Sequence, residues 1–146
     1  MREHLILKVI TKLMVGVIIL FGLYVQFHGE YSPGGGFQAG VIIAAAFILY
    51  GIVMGLETVQ KVVPIWVVQK GAAIGVLIYG LTGVTSVLFG YEYLNYAVIS
   101  PGHPEHGQHY GIIIVELGVG LTVSCVMISI YYSFAGRTPR LDDKEW

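Results

Sequence analysis

The sequence predicts an all-α integral membrane protein with four transmembrane helices and both termini in the cytoplasm. Of its 146 residues, 55% are hydrophobic and only 12% are charged, which is outside the usual composition of a soluble domain. The apolar residues form runs of about 20, the length that crosses a bilayer, instead of the one-sided stripes of a soluble helix. The distribution of basic residues predicts the orientation.

Four segments are long enough to cross a hydrocarbon core of about 30 Å. They cover residues 5–27, 37–56, 64–89 and 111–134, and Lys70 in the third is expected to extend toward the headgroups. The first run is too long for the apolar core of a signal peptide, so we expect it to be retained. The single cysteine, Cys125, has no second cysteine to pair with. We interpret residues 1–146 as one membrane domain.

Lysine and arginine are absent from two of the three connections between the predicted spans. The 28–36 and 90–110 connections contain neither residue, whereas the 57–63 connection and both ends of the chain are basic. Because basic segments stay in the cytoplasm, the termini and residues 57–63 are predicted to be cytoplasmic and the other two connections to face outward. The basic residues are Arg2, Lys8, Lys12, Lys61, Lys70, Arg137, Arg140 and Lys144.

The first outer connection, HGEYSPGGGFQAG, is a polar, glycine-rich segment that we name the glycine turn (residues 28–40). Pro33 favours a turn, and the three glycines after it permit close backbone approaches that a Cβ would block. Two interpretations compete: a tight outer hairpin, or a polar pocket formed by Gln38 and the N–H groups at the start of the second helix. A P-loop is poorly supported, because no Lys and Ser/Thr follow the glycines. The segment after Pro33 consists of Gly34, Gly35, Gly36 and Phe37.

Glycines four residues apart recur in the second and third spans. Such pairs of small residues let a neighbouring helix approach closely, so we expect these positions to be packing sites. The pairs are Gly36 with Gly40, Gly51 with Gly55, and Gly71 with Gly75.

Glu116, in YGIIIVELGVGLTV, is the one acidic residue clearly inside an apolar run. It lies about five residues into the predicted fourth span, which at 1.5 Å per residue is roughly 8 Å from the outer boundary. A charge left unpaired at that depth costs about 3 kcal/mol on insertion scales. Two interpretations stay open: a carboxylate that exchanges a proton or a sodium ion, or a side chain that hydrogen-bonds a neighbouring subunit.

The second outer connection carries a cluster of titratable residues in SPGHPEHGQHYG. Three imidazoles and a carboxylate are groups that bind metals or respond to pH near neutrality. Pro104 and Gly107 are expected to break any helix that would aim the rings together, so a solvated or partner-covered loop is favoured over a metal site. The cluster consists of His103, Glu105, His106 and His109, and His28 and Glu30 of the glycine turn face the same side.

The octapeptide PGGGFQAG, introduced by FHGEYS and followed by GVIIAAAFILYGI, resembles the signature of a known family. Together with the length, the four spans and the outer loop rich in His, Gly and Pro, it is similar to the B subunit of the Mrp-type (Mnh-type) multisubunit sodium/proton antiporter. The likeness covers almost the whole chain. The same family resembles a subunit of membrane-bound hydrogenase complexes, so the host complex stays open.

The resemblance implies a subunit that works beside other membrane subunits of an antiporter in the plasma membrane of a prokaryote, with Na+ and H+ as the ions that the complex transports. The sequence contains no cofactor motif and no nucleophile–base pair, so we predict neither an enzyme nor a nucleic-acid-binding protein. Our hypothesis is a scaffold that lines part of a hydrated ion path, with Glu116, Gln38, His28 and Glu30 as candidates.

The alternative is a purely structural assembly subunit that carries no ion, which the glycine pairs and the shortage of buried charge favour. A free-standing transporter is disfavoured, because four helices with one acid leave little room for an alternating-access core.

Overall fold

In the computed structural model, which describes residues 2–29, 34–100 and 102–137, five α-helices and one short 3₁₀ helix make up the fold. In chain order they are α1 (Arg2–His28), α2 (Gly36–Met54), α3 (Leu56–Val62), α4 (Ile65–Leu88), the 3₁₀ helix (Tyr96–Ile99) and α5 (Pro104–Ala135). The helices α1, α2, α4 and α5 are long and apolar enough to cross a membrane, which confirms the predicted four-span, all-α fold.

The first three predicted spans agree with α1, α2 and α4 to within a few residues. Helix α2 ends at Met54 because Gly55, at φ 94°, turns the backbone away from helical geometry. The 57–63 connection, which the sequence predicts as a loop, is largely the short helix α3. Glu57 in its first turn and Lys61 in its last turn each complement the helix dipole.

Helix α5 begins at Pro104, well before residue 111, where the fourth span is predicted to start. The prediction that Pro104 and Gly107 break the helix is wrong. Proline at the first helical position lacks only an N–H that would have no partner within the helix. Gly107 is buried where an added methyl group would lie 2.6 Å from the carbonyl oxygen of Tyr96, so it lets the 3₁₀ helix pack closely on α5.

The long helices pack side by side in the order α1, α2, α5, α4. Helix α1 is antiparallel to α2, and α4 is antiparallel to α5, because the early residues of each contact late residues of the other. Helices α2 and α5 run parallel, as shown by the contacts of Gly36 with Glu116, Gly40 with Gly120 and Gly51 with Tyr131. The start of α1 and the end of α5 therefore lie at the same end of the bundle as α3, opposite the glycine turn.

The lysines and arginines of the described segments all lie toward the α3 end of the bundle. They occupy the first half of α1, helix α3, the first half of α4 and the segment after α5. The positive-inside rule would place this end in the cytoplasm and the glycine turn outside. The cytoplasmic location of the termini stays a prediction.

Apolar packing is concentrated at the α3 end. Val59 of α3 and Val68 of α4 are almost completely buried in a cluster with residues of α2 and α5. The hydroxyl of Tyr132 donates a hydrogen bond of 2.8 Å to the carbonyl oxygen of Val63, between α3 and α4. Helix α1, by contrast, leaves most of its long apolar side chains exposed, a surface suited to lipid or to other chains. The other members of the cluster are Ala44, Cys125, Ile128 and Tyr132.

Candidate functional site

Glu116 lies on α5 at the level where α1 ends and α2 begins, beside Gly29 and Gly36. Helices α4 and α5 extend beyond this level. The residue is about 18 Å along α5 from Pro104. Its carboxylate is level with the adjoining ends of α1 and α2.

The carboxylate of Glu116 rests against backbone that carries no side chain. A methyl group added to Gly29 would lie 2.8 Å from both carboxylate oxygens, and one added to Gly35 would lie 3.0 Å from Oε1. Both distances are shorter than an ordinary contact to carbon. Any larger residue at these positions would displace the carboxylate. Gly29 and Gly35 of the glycine turn thus form one site with Glu116 of the fourth span, which lies more than 80 residues further along the chain.

Gly36 brings the backbones of α2 and α5 into direct contact. A methyl group added to Gly36 would overlap the carbonyl oxygen of Glu116 and would lie 2.8 Å from the carbonyl carbon. Because these atoms belong to the main chain of a packed helix, they cannot rotate aside as a side chain would. Gly36 therefore sets the distance between the N-terminus of α2 and Glu116.

The N-cap residue of α2 has no side chain with which to cap the helix. Gly35 is the N-cap residue, and its extended backbone (φ 165°) provides no side-chain acceptor for the first N–H groups of the helix. Those N–H groups and the positive end of the helix dipole favour a negative charge nearby. The carboxylate of Glu116, which lies beside Gly35, is a negative charge at this end of the helix.

One helical turn further into the bundle, Gln26 of α1 adds a second polar side chain. Its carboxamide lies over Gly120, where an added methyl group would overlap Oε1 of Gln26 and would lie 3.1 Å from the carbonyl oxygen of Gly36. Gln26 is only 7% exposed, and its Nε2 has no hydrogen-bond partner within the described part of the chain. Nothing in the sequence marked Gln26, because one amide hardly changes the hydropathy of the run from residue 9 to residue 27.

Ser124 continues the line of polar groups by another turn of α5. Its hydroxyl lies within hydrogen-bond distance of two carbonyl oxygens, 3.0 Å from that of Gly40 and 2.8 Å from that of Gly120. Glu116, Gly120 and Ser124 are four residues apart and so share one face of α5. We name the line formed by Glu116, Gln26 and Ser124 the polar seam. The polar seam lies where α5 meets α2, and α1 covers the part of it near Gly120.

Gln38 and Phe37 lie beside the site rather than in it. Both are exposed, and together with Gly34 and the two following glycines they border an open depression of about 420 Å³. The carboxylate of Glu116 lies on the other side of this backbone. The predicted polar pocket at the start of the second helix thus has the N–H groups and Glu116 on its inner side, and Gln38 on the outer surface.

The end of α1 provides the third predicted ion-path residue. The ring of His28 stacks on that of Tyr24, with centroids 4.7 Å apart, and His28 is exposed. Glu30, the fourth candidate, and Pro33, the predicted turn residue, lie outside the described residues.

The titratable residues of the second outer connection lie at the start of α5. His103 is the N-cap residue, and its ring meets that of His106 edge to face with centroids 5.7 Å apart. The ring of His109 lies 5.7 Å from that of Tyr110, and Glu105 is exposed in the first turn. Within residues 2–29, 34–100 and 102–137, no group of three His, Cys, Asp or Glu side chains is arranged to hold a metal. Glu116 stands about 10 Å further along α5 than His109.

Tyr96 of the 3₁₀ helix covers this first part of α5. An added methyl group at Gly111 would overlap the ring of Tyr96, which is 9% exposed. Burial raises the pKa of the Tyr96 phenol above its ordinary value of 10.0, and the nearby phenols of Tyr79 and Tyr93 raise it further.

Most of the predicted packing glycines contact a neighbouring helix. A methyl group added to Gly40 would lie 2.7 Å from the carbonyl oxygen of Gly120, and one added to Gly51 would lie 2.7 Å from the hydroxyl of Tyr131. One added to Gly71 would lie 2.6 Å from Sγ of Cys125, and one added to Gly75 would overlap the hydroxyl of Thr122. Gly55 differs, since no heavy atom lies within 4 Å of the added methyl position. Its positive φ ends α2 instead of receiving a neighbouring helix.

Comparison with known proteins identifies one family over most of the chain. Residues 6–129 match the family model MnhB, described as a domain related to the MnhB subunit of the Na+/H+ antiporter. A Staphylococcus haemolyticus protein named "Putative antiporter subunit mnhB2" is 34% identical over 139 residues, which are 93% of this chain and 98% of that protein. Proteins of the same name from Staphylococcus epidermidis and Staphylococcus aureus are 34% and 33% identical over the same shares. The matched region includes the glycine turn, Gln26 and Glu116, and the chain belongs to the MnhB family.

Proposed function

We propose that this chain is the B subunit of a multisubunit sodium/proton antiporter in the plasma membrane of a prokaryote. The family description and the names of the Staphylococcus proteins support the proposal, since both refer to an antiporter subunit. Four helices able to cross a membrane support a multi-pass membrane protein. Its partners are then the other membrane subunits and the lipid bilayer, and Na+ and H+ are the ions that the complex transports. The chain is a component of a transporter rather than an enzyme, and it supports growth at high sodium and alkaline pH.

Within the complex, we place Glu116 on or beside the ion path. The observation that carries this assignment is the contact of its carboxylate with the glycine backbone at Gly29 and Gly35. The chain contains no lysine or arginine between residues 12 and 61 or between residues 70 and 137, so the sequence segments around Glu116 carry neither of these residues. The N-terminus of α2 favours a negative charge beside it, and a carboxylate in such a position can exchange a proton or a sodium ion.

The polar seam extends about 12 Å along α5 from Glu116 to Ser124. This length is less than half of a hydrocarbon core about 30 Å thick. Beyond Ser124, the apolar cluster that contains Ala44 and Ile128 closes the α3 end of the bundle. The chain therefore contributes the outer part of a hydrated path, and neighbouring subunits, for which the exposed apolar face of α1 is a docking surface, contribute the rest.

Sodium/proton antiport in everted membrane vesicles that carry Glu116→Gln tests this function. We expect antiport to fall about tenfold or more, because glutamine keeps the shape of the side chain but has no carboxyl group to take up or release a proton. Native gels of the same membranes report whether the complex assembles. Glu57→Gln, at an exposed position of α3, is the matched control and should leave both antiport and assembly unchanged.

Each result has a distinct meaning. Lost antiport in an intact complex supports the ion-path role of Glu116. Lost antiport together with a broken complex makes Glu116 a packing residue, and full antiport in an intact complex ends its candidacy as an ion carrier.

A second candidate function is a purely structural subunit that assembles a related membrane complex, such as a membrane-bound hydrogenase, and carries no ion. Two observations favour this structural role. The polar seam ends at the apolar cluster that contains Ala44 and Ile128, and the helices make close contacts at Gly36 and Gly75. In that case Glu116→Gln would leave ion transport unaffected in any complex that assembles, whereas Gly36→Ala would weaken the assembled complex.

A further inference from the structure

A groove lies on the surface of the bundle between α4 and α5, near the α3 end. Its volume is about 370 Å³, within the range of about 300–1,000 Å³ that is usual for ligand pockets. Its lining combines apolar with polar side chains and includes no acidic residue. The groove can therefore hold part of an amphipathic molecule. Among its lining residues are the apolar Ala72, Val126 and Ile130 and the polar Gln69, Ser129 and Ser133.

The lining residues furthest from the α3 end, Ala72 and Val126, are apolar, and the polar ones lie nearer to α3. Helix α4 begins at the α3 end, so Gln69 lies closer to that end than Ala72 does. Helix α5 ends there, so Ser133 lies closer to it than Val126 does. An amphipathic ligand is therefore expected to place its polar group at the α3 end and its apolar part toward the middle of the bundle.

Arg137 extends the polar end of the groove. Gly136 keeps a helical backbone (φ −75°), and the N–H of Arg137 donates a hydrogen bond of 3.2 Å to the carbonyl oxygen of Phe134. The chain thus follows the path of α5 for two more residues, so Ser133 and Arg137, four residues apart, lie on one face. Arg137 is exposed. A guanidinium keeps its charge and binds phosphate through paired hydrogen bonds.

A pair of side chains on α4 marks the headgroup level beside the groove. Nζ of Lys70 lies 5.3 Å from the centroid of the Trp66 ring, and both side chains are exposed. Tryptophan is enriched where a membrane meets water, and lysine extends its ammonium group toward the headgroups. Gln69 directly precedes Lys70, so the polar end of the groove is at this level. From Val126 to Arg137 the groove face of α5 is about 16 Å long, roughly the depth of one leaflet of a hydrocarbon core about 30 Å thick.

The charge of the α3 end fits an anionic ligand. All six lysines and arginines of the described segments lie toward this end, together with two described acids, Glu3 and Glu57. Basic pockets between transmembrane helices on the cytoplasmic side bind anionic lipid headgroups. A neighbouring transmembrane helix would place apolar side chains against Gln69, Ser133 and Arg137, whereas a phospholipid would place phosphate and glycerol oxygens there.

We propose that this groove binds an anionic phospholipid from the leaflet at the α3 end. Arg137 and the carboxamide of Gln69 bind the phosphate, and one acyl chain lies along Ala72 and Val126. The site goes beyond the proposed function, because it is formed by α4, α5 and Arg137 of this chain and would exist in a host complex of either kind.

Melting temperatures of the membrane complex, purified through a tag on this chain and depleted of lipid by detergent washing, test the site. We expect added phosphatidylglycerol, which is anionic, to raise the melting temperature more than phosphatidylcholine does. Half of the maximal shift should require about tenfold more phosphatidylglycerol in Arg137→Gln, which loses charged hydrogen bonds to the phosphate. Val126→Phe, which fills the apolar part of the groove, should weaken the response in the same way. Lys8→Gln, at an exposed basic position on α1, is the matched control and should respond as the unmodified complex does.

Three results would overturn the proposal. Equal lipid requirements in Arg137→Gln and Lys8→Gln would place the lipid elsewhere, equal stabilisation by phosphatidylcholine would show that the headgroup charge is not recognised, and equal stabilisation by inorganic phosphate would show that no lipid is needed. If a variant fails to assemble, a cryo-electron microscopy map of the unmodified complex decides. An acyl chain in the groove with its phosphate at Arg137 supports the proposal, and a transmembrane helix of a neighbouring subunit in the groove contradicts it. None of these measurements uses antiport, so the proposed function is tested separately.

Discussion

Gly35 touches the carboxylate of Glu116, since a methyl group added to Gly35 would lie 3.0 Å from Oε1. The next residue, Gly36, instead touches the main chain of Glu116. Gly35 therefore contacts a side chain, which can rotate, whereas Gly36 contacts a helix backbone, which cannot. Substitutions at the two positions therefore separate the chemistry of the acid from the packing of the helices.

Gly35→Ala is expected to lower antiport about fivefold while the complex assembles normally. Alanine tolerates the extended backbone of Gly35, so the new methyl group acts only by pushing the carboxylate from its position. Holding a side chain away from its preferred rotamer costs about 1 kcal/mol, which corresponds to roughly fivefold in rate. Antiport in vesicles and native gels measure the two properties, and unchanged antiport would show that the position of the carboxylate is not critical.

Gly36→Ala is expected to destabilise the bundle itself. The added methyl group overlaps the carbonyl oxygen of Glu116, so α2 must move away from α5, and forced overpacking costs typically about 1–3 kcal/mol. The melting temperature of the purified complex should fall. Gly80→Ala, also within a helix but with no heavy atom within 4 Å of the new methyl group, should be neutral or slightly stabilising. Equal melting temperatures for the two variants would contradict the tight contact at Gly36.

Ser124→Ala tests the hydrogen bond that joins α2 and α5. The hydroxyl contacts the carbonyl oxygens of Gly40 and Gly120, and its removal should cost about 0.6 kcal/mol, the average for such bonds between membrane helices. Ser133→Ala is the control, because the exposed hydroxyl of Ser133 donates a hydrogen bond to the carbonyl oxygen of Ser129 within the same helix. Unfolding of the purified chain by denaturing detergent gives both values, and a larger loss for Ser133→Ala would refute the assignment.

The number and type of helices could be predicted from the sequence because bilayer thickness alone requires apolar runs of about 20 residues. Local exceptions were harder to predict. Pro104 and Gly107 are typical of loops, yet one occupies the first position of a helix and the other a close contact with Tyr96. Helix α3 is too short and too polar to stand out beside four long apolar runs.

The candidate site could be predicted only in parts. Glu116 stands out as a charge among apolar residues, and the glycine turn stands out by composition, but their contact depends on α2 and α5 packing in parallel. Because α3, α4 and the 3₁₀ helix separate α2 from α5 in the chain, this parallel packing leaves no local pattern in the sequence. The place of Gln26 in the site could not be predicted, because it depends on burial against Gly120, which is a property of the packed helices and not of the residue type.

The pKa of the Tyr96 phenol is raised above 10.0 chiefly by burial and further by the nearby phenols of Tyr79 and Tyr93. Since the folded protein favours the neutral phenol, this stabilisation is complete below the ordinary pKa and is lost as pH rises through the higher pKa of the folded state. The packing of the 3₁₀ helix on α5 should therefore weaken in strongly alkaline solution.

Tyr96→Phe removes the titrating group and keeps the ring that covers Gly111. Between about pH 9 and about pH 11, the melting temperature of the unmodified complex should fall more than that of Tyr96→Phe, because only the former must bury a phenolate. Tyr91→Phe, at an exposed position in the same connection, controls for loss of a phenol and should behave like the unmodified complex. A parallel decline of all three proteins would show that ionisation of Tyr96 does not limit stability, and a steeper decline of Tyr96→Phe would mean that its hydroxyl stabilises the fold at high pH.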